Sequence, residues 1–202
     1  MGSHCRNLLN RFPPKAVWPL AAQLRSFNRQ RAQPEPAIRT MYQMLSELYW
    51  IEVGATPKLA IMARPRAGDW LEDEVGHWKR SGVEVVVSLL EAEEIDDLDL
   101  RMEAPLCLKA GIEYLPFPIR DRGVPNNIND ALRFASEVAN SGKVVAIHCR
   151  AGIGRSSIMA AAVMVSRGVG AEAALSAISA ARRTQVPDTD AQREWVLSLD
   201  RR

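Results

Sequence analysis

Apolar and polar positions become regular only after about residue 41, and from there strand-like and helix-like stretches alternate. Residues 48–51 (Leu-Tyr-Trp-Ile) and 59–62 (Leu-Ala-Ile-Met) are short apolar runs separated by Gly54 and Pro57, which predicts an antiparallel hairpin at a sheet edge. Asp69-x-x-Glu72 reads as a capping box for a helix whose Leu71, Val75 and Trp78 share one face and which Gly82 ends. The valine-rich run at 83–89 reads as a buried strand. The acidic stretch 91–100 has adjacent carboxylates and no histidine, so a solvated helical face is expected there rather than a metal site. A short helix over 105–110, closed by Gly111, makes Cys107 a packing thiol. Next come a strand at 112–115, a helix at 127–140 with Ile128, Leu132, Ala135 and Val138 inward, and a strand at 144–147. The remainder is helical: 158–165 is a strong helix former, 171–182 turns Ala174, Leu175 and Ile178 inward, and 189–199 does so with Trp195, Val196 and Leu199.

Strand, helix and strand in that order imply a right-handed crossover, which makes 112–115 and 144–147 parallel neighbours with their C-terminal ends at one sheet edge. The expected fold class is α/β, a mostly parallel central sheet flanked by helices, with the site at that edge.

Charge divides the chain. A sequence of 202 residues with 47% hydrophobic composition can bury one good core. The net charge of +2 conceals an asymmetry, since residues 1–50 hold seven Lys/Arg and two Asp/Glu while the rest hold 19 and 22. Residues 1–40 are expected to form a basic, Pro-rich N-terminal arm and 41–202 the folded domain, with Met1-Gly2-Ser3-His4 resembling an expression remnant. Trp18 and Phe27 among the arginines leave three readings of the arm open: a poorly ordered extension, a peripheral contact with anionic membrane or an acidic partner, or a transit-like segment. The balanced charge of the domain points to no nucleic-acid partner. No apolar run approaches the roughly 18–20 residues that span a bilayer, so a soluble protein without a transmembrane segment is expected. Three cysteines without framework spacing indicate a reducing, cytoplasmic setting.

The candidate chemistry lies at 146–157, Ala-Ile-His-Cys-Arg-Ala-Gly-Ile-Gly-Arg-Ser-Ser, between a predicted strand and a predicted helix. Backbone amides of a Gly-containing turn can point inward together, and the next helix adds its free N-terminal amides and positive dipole end, so an oxyanion fits there. Cys149 at the start of the turn would feel the same field, which favours its thiolate and makes it a nucleophile. Arg155 can hold two phosphoryl oxygens with its planar fork. Other readings account for less. A dinucleotide-binding turn would need a third glycine where Ser157 stands. A metal site would need partners for His148 and Cys149 that His4 and His77 do not supply. A structural cysteine would leave Arg155 and the glycines unexplained.

His148-Cys149, five residues, then Arg155-Ser156 resembles the signature of the cysteine-dependent protein tyrosine phosphatase superfamily. Pro118-Ile119-Arg120-Asp121-Arg122-Gly123-Val124-Pro125 is similar to the general-acid loop of its dual-specificity branch. Val186-Pro187-Asp188-Thr189 through Gln192 and Trp195 is similar to that branch's C-terminal helix. The resemblance implies two-step hydrolysis of phosphate monoesters with no metal and no cofactor. Cys149 would attack phosphorus, and Asp121 would act as acid and then as base. Arg155 and the loop residues Arg150, Ala151, Gly152, Ile153 and Gly154 would bind the phosphoryl oxygens. Ser156 would assist the thiolate as leaving group, and His148 would orient the loop. Asp121 follows one strand end as Cys149 follows another, which brings it to the site independently of the resemblance; alone, an Asp beside Gly123 is a turn residue. Gln192 either places the hydrolytic water or is a solvent-facing helix residue. Arg120, Arg122 and Arg150 either raise the pocket's potential or hold further phosphates. The implied substrate is a phosphorylated protein, on tyrosine and on serine or threonine. A phosphoinositide substrate, a silent phosphate-binding module and a rhodanese- or arsenate-reductase-like enzyme are the alternatives.

Overall fold

Five strands form the central sheet of the computed structural model, which describes residues 45–52 and 58–201: β1 (Tyr49–Ile51), β2 (Leu59–Met62), β3 (Val85–Ser88), β4 (Glu113–Pro116) and β5 (Val145–His148). The arm expected over 1–40 and the turn through Gly54 and Pro57 lie outside the described residues. The strand order is β1-β2-β5-β3-β4, with β1 antiparallel to β2 and the other pairs parallel. The edge hairpin forms as expected, with Trp50 opposite Ala60. The expected pairing of the fourth and fifth strands does not: β3 lies between them. The reason is burial, since all four residues of β3 are buried whereas β4 alternates exposed and half-buried positions and suits an edge. Because β5, β3 and β4 run parallel, their C-terminal ends still share one edge.

Among the described residues seven helices cover the sheet: α1 (Leu71–Arg80), α2 (Ala92–Asp97), α3 (Glu103–Lys109), α4 (Ile128–Asn140), α5 (Arg155–Val165), α6 (Ala171–Arg182) and α7 (Asp190–Leu197). Alternation along the strands sorts their side chains into two layers. Ile61, Val85, Val87, Val145 and Ile147 pack with α4, α5, α6 and α7. Ala60, Met62, Val86 and Ala146 pack with Val75 and Trp78 of α1 and Cys107 of α3. Helix α5 is buried on all sides from Arg155 to Met164, as a helix of alanine, valine, isoleucine and methionine between a sheet and three other helices must be. On α4 the most buried positions are Ala131, Ala135, Val138 and Ala139; Ile128 and Leu132 are half-buried at its rim.

The expected capping box of α1 does not form. Gly68–Trp70 is a 3-10 turn, Trp70 stands at the helix start without a side-chain cap, and Glu72 instead meets Lys109 of α3 at 2.7 Å. The reciprocal box occurs at α2, where Glu94 accepts from the Glu91 amide at 3.1 Å. Trp78→Ala, which empties a wholly buried site in the α1–α3 layer, is expected to cost about 3–5 kcal/mol, measured by the urea midpoint.

Candidate functional site

The loop from β5 to α5 owes its shape to contacts on its outer side. The Arg64 amide donates to the Arg150 carbonyl at 3.3 Å. Arg182 of α6 donates from Nε to the Gly152 carbonyl at 3.0 Å and from Nη2 to the Ala151 carbonyl at 3.3 Å. Its guanidinium also stacks 4.1 Å from the centre of the Tyr49 ring on β1. With these carbonyls occupied outward, the amides of 150–155 have no protein acceptor among the described residues, the arrangement an anion cradle requires. Two glycines are forced by space. Gly152 has φ +68, and a Cβ there would fall 2.5 Å from the Met62 backbone. A Cβ on Gly154 would lie 2.8 Å from Gln192 Oε1 and closer still to Asp188 Oδ1.

Cys149 sits at the base of this loop, 3% exposed, with Sγ 3.6 Å from Ser156 Oγ. Beyond β4 the chain stays alongside β3, its Phe117 and Ile119 amides bonded to Ser88 and Leu89 carbonyls, so the following turn reaches the same edge. Asp121 thereby meets Arg155, Oδ1 to Nη2, at 2.9 Å while its carboxylate stays half-exposed. One pocket of about 160 Å³ is lined by Asp121, Arg122, Cys149, Arg150, Ala151, Gly154, Arg155, Asp188 and Gln192. Ile153 is half-buried against the core, leaving its backbone as the part of it that can serve the cradle. Arg120 is exposed and is not among the residues that line the pocket.

The acidic stretch 91–100 differs most from its sequence reading as a solvated face. Glu94 is buried and takes Arg155 from both sides of the fork, Nη2 to Oε1 at 2.8 Å and Nη1 to Oε2, while Nη1 also donates to the Ile119 carbonyl at 2.9 Å. Glu91 accepts from the Asp121 amide at 3.3 Å. The Glu91-x-x-Glu94 spacing was the available signal, because it starts a helix at the end of a buried strand. Burial opposes charge on Arg155, but Glu94, Cys149 and Asp121 outweigh it and hold the guanidinium more firmly charged than usual. Burial likewise opposes charge on Glu94, and Arg155 together with the Glu91 amide brings its carboxyl below the usual range. Gln192 is not solvent-facing: it is fully buried and donates to the Gly123 carbonyl at 2.9 Å, tying α7 to the turn that carries Asp121. Asp188 lines the pocket, its Oδ2 3.9 Å from Arg122. His148 lies behind the sheet edge, fully buried. Among the described residues no three His, Cys, Asp or Glu side chains gather as metal ligands.

The family model described as Tc-R-P: Polymorphic toxin system, DSP-PTPase phosphatase, matches residues 60–169, more than half of the chain. The chain belongs to this family. It is a dual-specificity-like member of the cysteine-dependent protein tyrosine phosphatase superfamily. No curated protein matches its sequence. Kinase associated phosphatase, solved with its catalytic-site cysteine replaced by serine, aligns with a TM-score of 0.69 at 20% identity over 76% of this chain and 93% of its own. Tk-PTP in its active form gives a TM-score of 0.60 and 28% identity over 76% and 97%. PTPMT1 gives 0.57 and 24% over 75% and 94%.

Glu94→Gln should lower the phosphatase's kcat/KM for an aryl phosphate by roughly 10–100-fold, because a misplaced Arg155 fails to meet the phosphoryl oxygens. The same substitution tests the linkage. A carboxyl with a depressed folded-state pKa stabilises above its unfolded value and loses that contribution as pH falls through the folded one. Thermal unfolding from pH 7 to 3 should therefore show a shallower acid loss for Glu94→Gln than for the native chain.

Proposed function

We propose that this phosphatase hydrolyses phosphate monoesters on phosphotyrosine, and on phosphoserine and phosphothreonine, through a phosphocysteine intermediate. The observation that carries the reading is the convergence of Cys149, Arg155 and Asp121 on one pocket, with a cradle of free amides around it. The Cys149 thiolate attacks phosphorus as the ester P–O bond breaks, and Asp121 delivers a proton to the leaving oxygen. Arg155 and the amides of 150–155 hold the charge spreading over the equatorial oxygens. Water then attacks the phosphocysteine, Asp121 takes its proton, and the S–P bond breaks with Ser156 stabilising the departing thiolate. Gln192, which lines the same pocket, would orient that water.

No aromatic side chain is among the residues that line this pocket, so nothing there demands a phenyl ring, which supports the wider substrate range. A second reading, a phosphoinositide substrate, is favoured by the exposed Arg122 and Arg150 at the rim. PTPMT1, with the same fold at 24% identity, has been solved in complex with PI(5)P. A silent binding module would need the amides and Arg155 but not Asp121. We propose a cytoplasmic setting for the enzyme.

Cys149→Ser should abolish turnover of nitrophenyl phosphate and leave phosphate binding largely intact; activity near that of the native chain would sink the covalent route. Asp121→Ala should lower kcat for an alkyl phosphate far more than for nitrophenyl phosphate, since acid catalysis is worth ~10²–10⁴-fold where the leaving group needs a proton. Equal losses on both substrates would point to Asp188 as the acid. Arg150→Ala should depress hydrolysis of a phosphoinositide more than that of a phosphopeptide if the lipid is the substrate.

A further inference from the structure

Two acceptor oxygens meet on the wall of the pocket, one from Gln192 of α7 and one from Asp188 just ahead of that helix. Gln192 is fully buried, and its Nε2 donates to the Gly123 carbonyl at 2.9 Å. That bond fixes which way the amide faces, since the flipped amide would press Oε1 against the same carbonyl. Oε1 is thus turned away from Gly123 and, although buried, has no hydrogen-bond partner among the described residues. It lies 2.8 Å from the place where a Cβ on Gly154 would stand, and Asp188 Oδ1 lies closer still to that place. The other Asp188 oxygen faces Arg122 at 3.9 Å, across a contact whose side chains are both partly exposed. Asp188 is therefore a second carboxylate in a pocket built to receive an anion, and the steps above give it no task.

A buried acceptor left without a donor is costly, and two acceptors side by side repel unless one hydrogen lies between them. A phosphoryl dianion carries no hydrogen to offer, whereas water carries two. One O–H can be shared between Asp188 Oδ1 and Gln192 Oε1 in a three-centre bond, which leaves the other for Asp121 on the same pocket wall. We propose that Asp188 is a further catalytic residue of the second half-reaction, holding with Gln192 the water that attacks the phosphocysteine. The inference rests on the phosphocysteine reading. In that step the water oxygen bonds phosphorus as the S–P bond breaks, the electron pair of that bond returns to the Cys149 sulfur, and the proton goes to Asp121. Asp188 accepts a hydrogen bond throughout and takes no proton. Its negative charge also faces the phosphoryl oxygens, so the seat beside it favours a neutral donor over another anionic oxygen.

Rapid-quench kinetics of the full chain with nitrophenyl phosphate test this, because an acidic phenol leaves readily and the two half-reactions are then read apart. The first turnover reports transfer to Cys149, and the steady state reports hydrolysis. Asp188→Ala should keep the first-turnover rate within about twofold of the native chain and slow the steady state about 10–100-fold. Phosphate should then accumulate on the peptide carrying Cys149, read by mass spectrometry of samples quenched in denaturant. Asp188→Asn, whose carbonyl oxygen still accepts a hydrogen bond, should recover most of the lost rate. A steady state that Asp188→Ala leaves unchanged overturns the inference. So does a first turnover that falls with it, which would assign the carboxylate to substrate binding or to acid catalysis. An effect confined to KM for a phosphopeptide overturns it too, since the oxygen would then receive a donor of the substrate instead of water. If Asp188→Ala does not fold, Asp188→Leu, close to aspartate in shape and without an acceptor, is judged by the same two rates. A native chain that releases no nitrophenol fails at the earlier step and overturns the phosphocysteine reading itself.

Discussion

The guanidinium of Arg155 is the constraint around which the rest of the site is arranged. It is almost wholly buried, and a charge so placed is stable only with partners of opposite sign in good geometry. Glu94 supplies both oxygens, the Leu89 and Ile119 carbonyls receive what remains of Nη1, and Asp121 takes part of Nη2. Each partner comes from a different segment: α2, the ends of β3 and β4, and the turn beyond β4. One side chain therefore ties together α2, the ends of β3 and β4 and the turn beyond β4. The same fork that would receive a phosphoryl group is, in its absence, part of the packing.

Asp121 is thereby placed by two opposed demands. Its carboxylate pairs with Arg155 in the pocket while its amide rests on Glu91, the residue preceding α2. Glu94 and Glu91 belong to one capping box, so the helix start that satisfies its own amides also fixes Arg155 and the turn that carries Asp121. Local helix chemistry and the geometry of the pocket share the same two carboxylates.

Much of this was legible in the residues. The strand–loop–helix at 144–165, the edge hairpin and the arrival of Asp121 at the edge all follow from patterning and chain order, because burial and crossover handedness act locally along the sequence. What was not legible depends on tertiary placement. Six carboxylates in ten residues look like a water-facing surface, and nothing local says that one of them meets a buried arginine sixty residues later. The position of β3 between β5 and β4 was hidden because sequence order suggests adjacency, whereas burial on both faces decides which strand is central. The buried role of Gln192 was equally invisible, as a helix heptad does not show which turn will cover it.

The grip of Arg182 on the loop carbonyls has a thermodynamic side. Stacked on Tyr49 and bonded to residues 151 and 152, it holds the amides inward before any anion arrives. Ordering of a flexible loop is a cost that binding energy ordinarily has to offset. Here that cost falls on folding instead, so an anion entering the loop would not have to offset it.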